Sequence, residues 1–294
     1  QSLISSSLHV MMAEEFIYMG EPNPVVPPGA TRVIVDKSVN IIPERAFQGN
    51  GSIVELFCHD GVEKVETRAF NRCSSLRRVI MPGVEVVEGH AFSRCVALRY
   101  VECGKLERIE GGAFFSCKSL TSIDLPSVDF VGESAFARCE ALTDAIFGDK
   151  LETVKSGAFY KCTSLEQITI PLKHGMFDHG NIFQGCFNLK RVDLVGGLHG
   201  TVAALLMEEW RIDVNETIDS INQILSTYNY EKAVAIRRWI RSVLHKIVHY
   251  KTQHHLFLSE AARTLELASL PTDIVMKSVL PFLELPSYTF DGED

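Results

Sequence analysis

Eight cysteines offer the most chemistry in this 294-residue chain, and six of them recur at one spacing. These are Cys73, Cys95, Cys117, Cys139, Cys162 and Cys186, each 22 to 24 residues from the next. Thiols in such number could form disulfides, hold a metal or act as nucleophiles. No Cys-x-x-Cys occurs. Zinc needs four ligands converging on one point, and an evenly spaced column does not converge. Neighbours in a column could approach disulfide distance, but their side chains point the same way. The spacing therefore predicts a ladder of buried thiols, each a small hydrophobe with its S–H on backbone. Unpaired, core-directed thiols fit a reducing compartment, so a cytoplasmic location is expected.

His245 and His249, with His254 and His255 beyond them, are the other candidates for metal chemistry. The i, i+4 pair could grip a cation, but position 246 is Lys rather than the Glu a zincin needs, and no third ligand is evident. No phosphate-binding Gly-rich loop and no Gly-x-Ser-x-Gly occurs. No catalytic residue, metal site or cofactor is expected. A metal-dependent enzyme on the histidine helix is the weakest functional reading.

The cysteine spacing belongs to a longer phrase. An Ala-Phe pair precedes each of these cysteines except Cys186, where it is Ile-Phe, and a Leu follows it. The Phe positions are 47, 70, 92, 114, 136, 159 and 183, with Asn50 in place of the first cysteine. After the Leu comes an x-apolar-x-apolar piece, the period of a short strand. Pro82, Gly104, Pro126, Gly148 and Pro171 end these strands. Arg32-Val-Ile-Val35 fits the same strand one copy earlier. The reading is eight strands in one parallel sheet. No unit can bury its apolar face alone, so the units must fold as a stack.

The phrase resembles the BspA-type (treponemal) leucine-rich repeat, most closely in LTSIDLPSVDFVGESAFARC at 120–139. The likeness runs from about Arg32 to Gly197. It implies an α/β solenoid with a parallel sheet, and roles in interaction and adhesion rather than one activity. The last unit, Lys173 to Phe183, departs from the pattern: it has Ile-Phe for Ala-Phe and no Val-x-x-Ile pair.

Residues flanking the inward strand positions point out of the sheet. Those with binding potential are Ile34, Glu55, Phe57, Arg78, Ile80, Tyr100, Glu102, Asp124, Asp144 and Ile146. Ile34, Phe57 and Ile80 form an apolar row on three adjacent strands, a candidate protein interface. Sheet propensity, or cover by Phe16-Ile-Tyr18, would explain the same row. Glu102, Asp124 and Asp144 suggest an acidic patch further along.

After Gly200 the apolar period becomes helical. Leu206, Trp210, Val214, Ile218, Ile221 and Leu225 mark one helix over about 201–226. Ile236, Ile240, Val243, Ile247 and Tyr250 mark a second, reaching about 268 before Pro271. The expectation is an α-helical hairpin, similar in its His249-Tyr-Lys251 and Val279-Leu-Pro-Phe-Leu283 phrases to the tail of diatom BspA-like proteins. It could cap the solenoid or pair with a second copy in coiled-coil fashion, Trp239 hinting at pairing. The divisions are 1–29, an N-terminal segment with Pro22, Pro24, Pro27 and Pro28; 30–197, the solenoid; 198–270, the hairpin; and 271–294, an acidic-ended tail.

Composition narrows the function classes. An apolar fraction of 46% excludes a disordered chain, and 8 cysteines are too few for a disulfide-built scaffold. No apolar run is long enough to span a membrane. A net charge of −8 argues against a general nucleic-acid binder. The sequence therefore points to a non-catalytic scaffold binding a protein partner of unknown identity. The alternative is an extracellular or cell-surface adhesion module.

Overall fold

The computed structural model describes residues 14–173, 175–177, 180–195, 202, 205, 207–227 and 231–267. The tail 271–294, Leu206 and the 279–283 phrase lie outside the described residues.

The eight expected strands are present, with one more ahead of them. β1 (Glu15–Tyr18), β2 (Arg32–Val35), β4 (Glu55–Phe57), β6 (Arg78–Ile80) and β8 (Tyr100–Glu102) form a parallel five-stranded sheet. β10 (Ser122–Leu125), β12 (Asp144–Phe147), β14 (Gln167–Ile170) and β15 (Arg191–Leu194) form a parallel four-stranded sheet. The single sheet expected from the repeat is thus two, because ladder pairing lapses between β8 and β10. These strands remain neighbours, the Cys103 thiol lying 3.8 Å from the Asp124 carbonyl.

The second apolar pair of each unit is also a strand. β3 (Ile41–Ile42), β5 (Lys64–Val65), β7 (Val86–Val87), β9 (Arg108–Ile109), β11 (Phe130–Val131) and β13 (Thr153–Val154) make a six-stranded parallel sheet of two-residue strands. Val154 bridges Phe177, which fills the irregular last unit's place in this ladder. The unit therefore keeps an apolar residue where the sequence pattern had lost one.

Between the sheets, the aromatic rings of the Ala-Phe pairs stack face to face. Adjacent rings from Phe47 to Phe159 lie 5.0 to 5.4 Å apart, and Phe159 to Phe183 is 5.6 Å. Tyr18 closes one end edge-on at 4.9 Å, and Phe177 closes the other at 5.6 Å. Such pairs stabilise beyond their buried area. β1 therefore does not cover the sheet face. It extends the sheet sideways and puts Tyr18 at the end of the ring column.

Each column cysteine donates its S–H to a phenylalanine carbonyl of the preceding turn. Cys73 reaches Phe47 at 3.1 Å, Cys95 reaches Phe70 at 3.1 Å and Cys186 reaches Phe159 at 2.9 Å. All eight cysteines are buried and unpaired.

Two helices follow the repeats: α1 (Glu208–Thr227) and α2 (Lys232–Leu267). They pack on each other, and α1 also packs on β15. α1 begins at Glu208, later than the expected 201. Trp239 is buried and donates from Nε1 to the Thr217 carbonyl at 2.8 Å. It therefore faces α1, not a second copy. Asp213 on α1 takes Lys246 Nζ at 2.6 Å and the Tyr250 hydroxyl at 2.8 Å. The Lys that disqualified the zincin pattern thus serves as a cross-helix ion-pair partner.

The hairpin is fastened to the last repeat through backbone groups that the repeat pattern leaves open. The buried Lys232 ammonium donates to the carbonyls of Phe187 and Leu189. Burial lowers its pKa from the ordinary lysine value. Asn222 Oδ1 accepts from the Val192 N–H at 3.4 Å, at the outer edge of β15. A sheet edge left open is a template for unwanted pairing, and here a helix meets it.

Candidate functional site

Strand alternation sends two rows of side chains out of the five-stranded sheet. Parallel register aligns Glu15, Arg32, Glu55, Arg78 and Tyr100 in one row. It aligns Ile17, Ile34, Phe57, Ile80 and Glu102 in the other. The apolar row thus spans four adjacent strands. Ile17, at its outer end, is 59% exposed; Ile34, Phe57 and Ile80 are half-buried.

The charged row braces the apolar one. Arg32 bonds Glu55 at 2.7 Å and Glu15 at 3.1 Å. Its guanidinium also lies 5.6 Å from the centre of the Phe57 ring. Arg78 lies 5.9 Å from the Phe57 ring and 5.5 Å from that of Tyr100. The Tyr100 hydroxyl donates to Glu102 at 3.2 Å. Cations over aromatic faces at this range attract by about 0.5–1 kcal/mol each when exposed. Phe57 is therefore held between two guanidiniums.

The structure brings Ile34, Glu55, Phe57, Arg78, Ile80, Tyr100 and Glu102 together on one sheet. Asp124, Asp144 and Ile146 lie on the other sheet, beyond the ladder break. The acidic patch divides: Asp124 is beside Ile146, whereas Asp144 is beside Ser122 in the other row. Asp144 is half-buried and accepts the Thr143 hydroxyl at 2.6 Å. Glu15 and Ile17 belong to the face and were not expected there. The repeat spacing could not find them, because β1 pairs with β2 at an offset of 17 residues (Glu15 with Arg32). The alternation in Glu-Phe-Ile-Tyr was the available signal.

Nothing comparable gathers around the histidines. His245 and His249 are exposed on α2, and the His249 ring stands edge-on to Tyr250 at 5.1 Å. Among the described residues, no three His, Cys, Asp or Glu side chains are grouped to hold a metal. No described helix is long and apolar enough to cross a membrane. Burial pushes the Cys58, Cys73 and Cys103 thiols up to about 12, far from nucleophilic use.

The sequence pattern of the BspA-type leucine-rich repeat region matches in six copies, over residues 29–105 and 85–199. The chain belongs to this family. BspA-type arrays are protein-interaction or cell-surface binding modules, and a solenoid of this kind is typically a scaffold rather than an enzyme. No curated protein sequence matches the chain. Several solved structures are similar to it. A leucine-rich cell surface protein of Faecalibacterium prausnitzii is 23% identical over 59% of each chain, with a TM-score of 0.40. The chain thus spans about three fifths of that protein (59%). The T. pallidum leucine-rich repeat protein is 21% identical over 61% of this chain and 74% of its own, with a TM-score of 0.43. A leucine-rich repeat protein of Bacteroides ovatus is 19% identical over 63% of this chain and 70% of its own, with a TM-score of 0.32.

Proposed function

We propose that this BspA-type chain is a non-catalytic adaptor that seats a protein partner on the outward face of its five-stranded sheet. The observation that carries this is the in-register row Ile17, Ile34, Phe57 and Ile80, flanked by Arg32 and Arg78. Aromatic and arginine side chains enriched around an apolar strip are the composition of interface centres. The row is braced by neighbours rather than buried by them, so it is ordered before a partner arrives.

Affinity capture on immobilised protein tests this reading. Phe57→Glu and Ile80→Glu should cut recovery of the retained polypeptides at least tenfold while leaving the thermal transition within a few degrees. Thr153→Glu, on the six-stranded sheet, should leave recovery unchanged. Equal recovery by wild type and by charge substitutions across the five-stranded face would refute the assignment.

The eight buried thiols support a reducing, cytoplasmic setting; the alternative is adhesion at the cell surface. Cell fractionation separates the two. Pairing of two chains through the helices is a second proposal. It rests on exposed Ile212 of α1 and Val248, Leu256 and Phe257 of α2, which are 50%, 52%, 60% and 53% accessible.

A further inference from the structure

Six arginines on the β6 and β8 turns lack the carboxylate partner that four of the five other arginines in the array have, Arg138 being the exception. Residues 67–84 hold four arginines and no acidic side chain, and 89–101 hold two more arginines, His90 and no acid, in a chain of net charge −8. They are Arg68, Arg72, Arg77, Arg78, Arg94 and Arg99. Arg68 is half-buried and the other five are exposed. None of the six makes an ion pair or side-chain hydrogen bond among the described residues, whereas Arg32, Arg45, Arg108 and Arg191 each meet a carboxylate. The nearby acids are already engaged: Glu15 and Glu55 by Arg32, and Glu102 by the Tyr100 hydroxyl.

The arginines are neighbours along the stack. The Arg99 N–H donates to the Arg77 carbonyl at 2.9 Å, and the Arg72 N–H donates to the Ser93 carbonyl, next to Arg94, at 2.8 Å. Arg72 and Arg94 are held at φ of 64° and 63°, a conformation that costs about 1–2 kcal/mol in side chains other than glycine. Arg78 is the best prepared of the six. Its guanidinium carbon lies 5.9 Å from the Phe57 ring centre and 5.5 Å from that of Tyr100, and among the described residues no acceptor meets its N–H groups. A guanidinium held over aromatic rings with its donors open suits bidentate binding of a carboxylate.

We propose that this edge of the sheet binds an acidic stretch of a partner polypeptide, with a carboxylate on Arg78 and apolar side chains against Phe57 and Ile80. The inference rests on the sheet-face reading above and adds the partner's chemistry. A nucleic-acid backbone fits less well. The basic zone covers two turns, about 10 Å of stack, and a phosphate run needs a longer basic track.

The test is fluorescence anisotropy with a labelled glutamate-rich peptide of about twelve residues carrying a central Ile-Phe pair. The full chain should bind it, and binding should weaken at least tenfold between low and moderate salt, because exposed charges are screened. Arg78→Gln should weaken binding about tenfold or more, as expected for loss of a charge-assisted hydrogen bond. Arg138→Gln, an exposed arginine on a later turn, should change it less than twofold. Equal binding of the same peptide with glutamine for glutamate overturns the proposal. So does equal loss in Arg138→Gln, tighter binding of a single-stranded oligonucleotide of matched charge, or no binding of the glutamate peptide at low salt. If the peptide fails while Phe57→Glu still abolishes partner capture, the face stands and the acidic chemistry falls. If the peptide binds while that capture is unaffected, it is the face reading that falls.

Discussion

At the residue scale, the thiols tie the fold to proton activity. Each column cysteine spends its S–H on a phenylalanine carbonyl of the turn before, as Cys117 does with Phe92 at 3.2 Å. Burial raises six of the eight thiols, Cys58, Cys73, Cys95, Cys103, Cys117 and Cys162, above their usual value of 9.0. Above that pH the unfolded chain releases thiol protons that the folded chain keeps, so stability must fall as pH rises. Each thiol contributes on the order of 1 kcal/mol per pH unit in this range. Six together approach the whole stability of a typical domain within roughly one to two units. The melting temperature is therefore expected to drop steeply between pH 9 and 11, and thiol reagents at pH 8 should label the native protein slowly but all eight cysteines after denaturation. A melting curve insensitive to pH up to 11 would contradict the buried ladder. That these are core thiols was legible from their spacing. Which carbonyl each one meets was not, because the acceptor lies 25 to 27 residues away on another turn.

At the element scale, the repeat consensus hides unequal demands on equivalent positions. Gly104 and Gly148 occupy the same place, just after a strand, and read alike. A Cβ on Gly104 would meet nothing within 4 Å, whereas one on Gly148 would lie 2.0 Å from the Pro126 carbonyl oxygen. Gly148→Ala should therefore cost about 2 kcal/mol or more, since backbone must shift. Gly104→Ala should stay within about 0.5 kcal/mol. Denaturant unfolding of the two variants checks this; equal losses would mean that the turns give way alike. The same inequality governs strands. Two-residue strands such as β7 and β9 are too short for the period-2 pattern to announce, and only the stack of neighbouring turns makes them a ladder.

At the scale of the whole molecule, the described residues meet the two ends of the array differently. Tyr18 finishes the ring column at one end, and the helical hairpin finishes β15 at the other, through Lys232, Asn222 and packing of α1. Terminal units of a solenoid need such closure, since their outer faces have no next repeat to cover them. The hairpin's exposed apolar residues bear on assembly. With 36 residues against 20, α2 extends about 24 Å further than α1. Sedimentation equilibrium should show a dimer at tens of micromolar for wild type and a monomer for Leu256→Glu with Phe257→Glu. A wild-type monomer across that range would reject pairing through the helices.

The sequence by itself determined the repeat, its strand phase and its inward thiols and rings. These depend on period and polarity, which the chain carries locally. It also marked the switch to helices after Gly200. Tertiary structure alone decided the rest. β1 joined at an offset of 17 residues, which no 22-to-24-residue period could reveal. Trp239 turned toward α1 rather than outward, and Lys246 found Asp213. On the binding face, Ile34, Phe57 and Ile80 could be aligned from the repeat. That Arg32 and Arg78 flank Phe57, and that Arg32 is satisfied while Arg78 keeps its donors open, depends on register and on which carboxylate lies within reach. Both are properties of neighbouring turns in space, not of the residues along the chain.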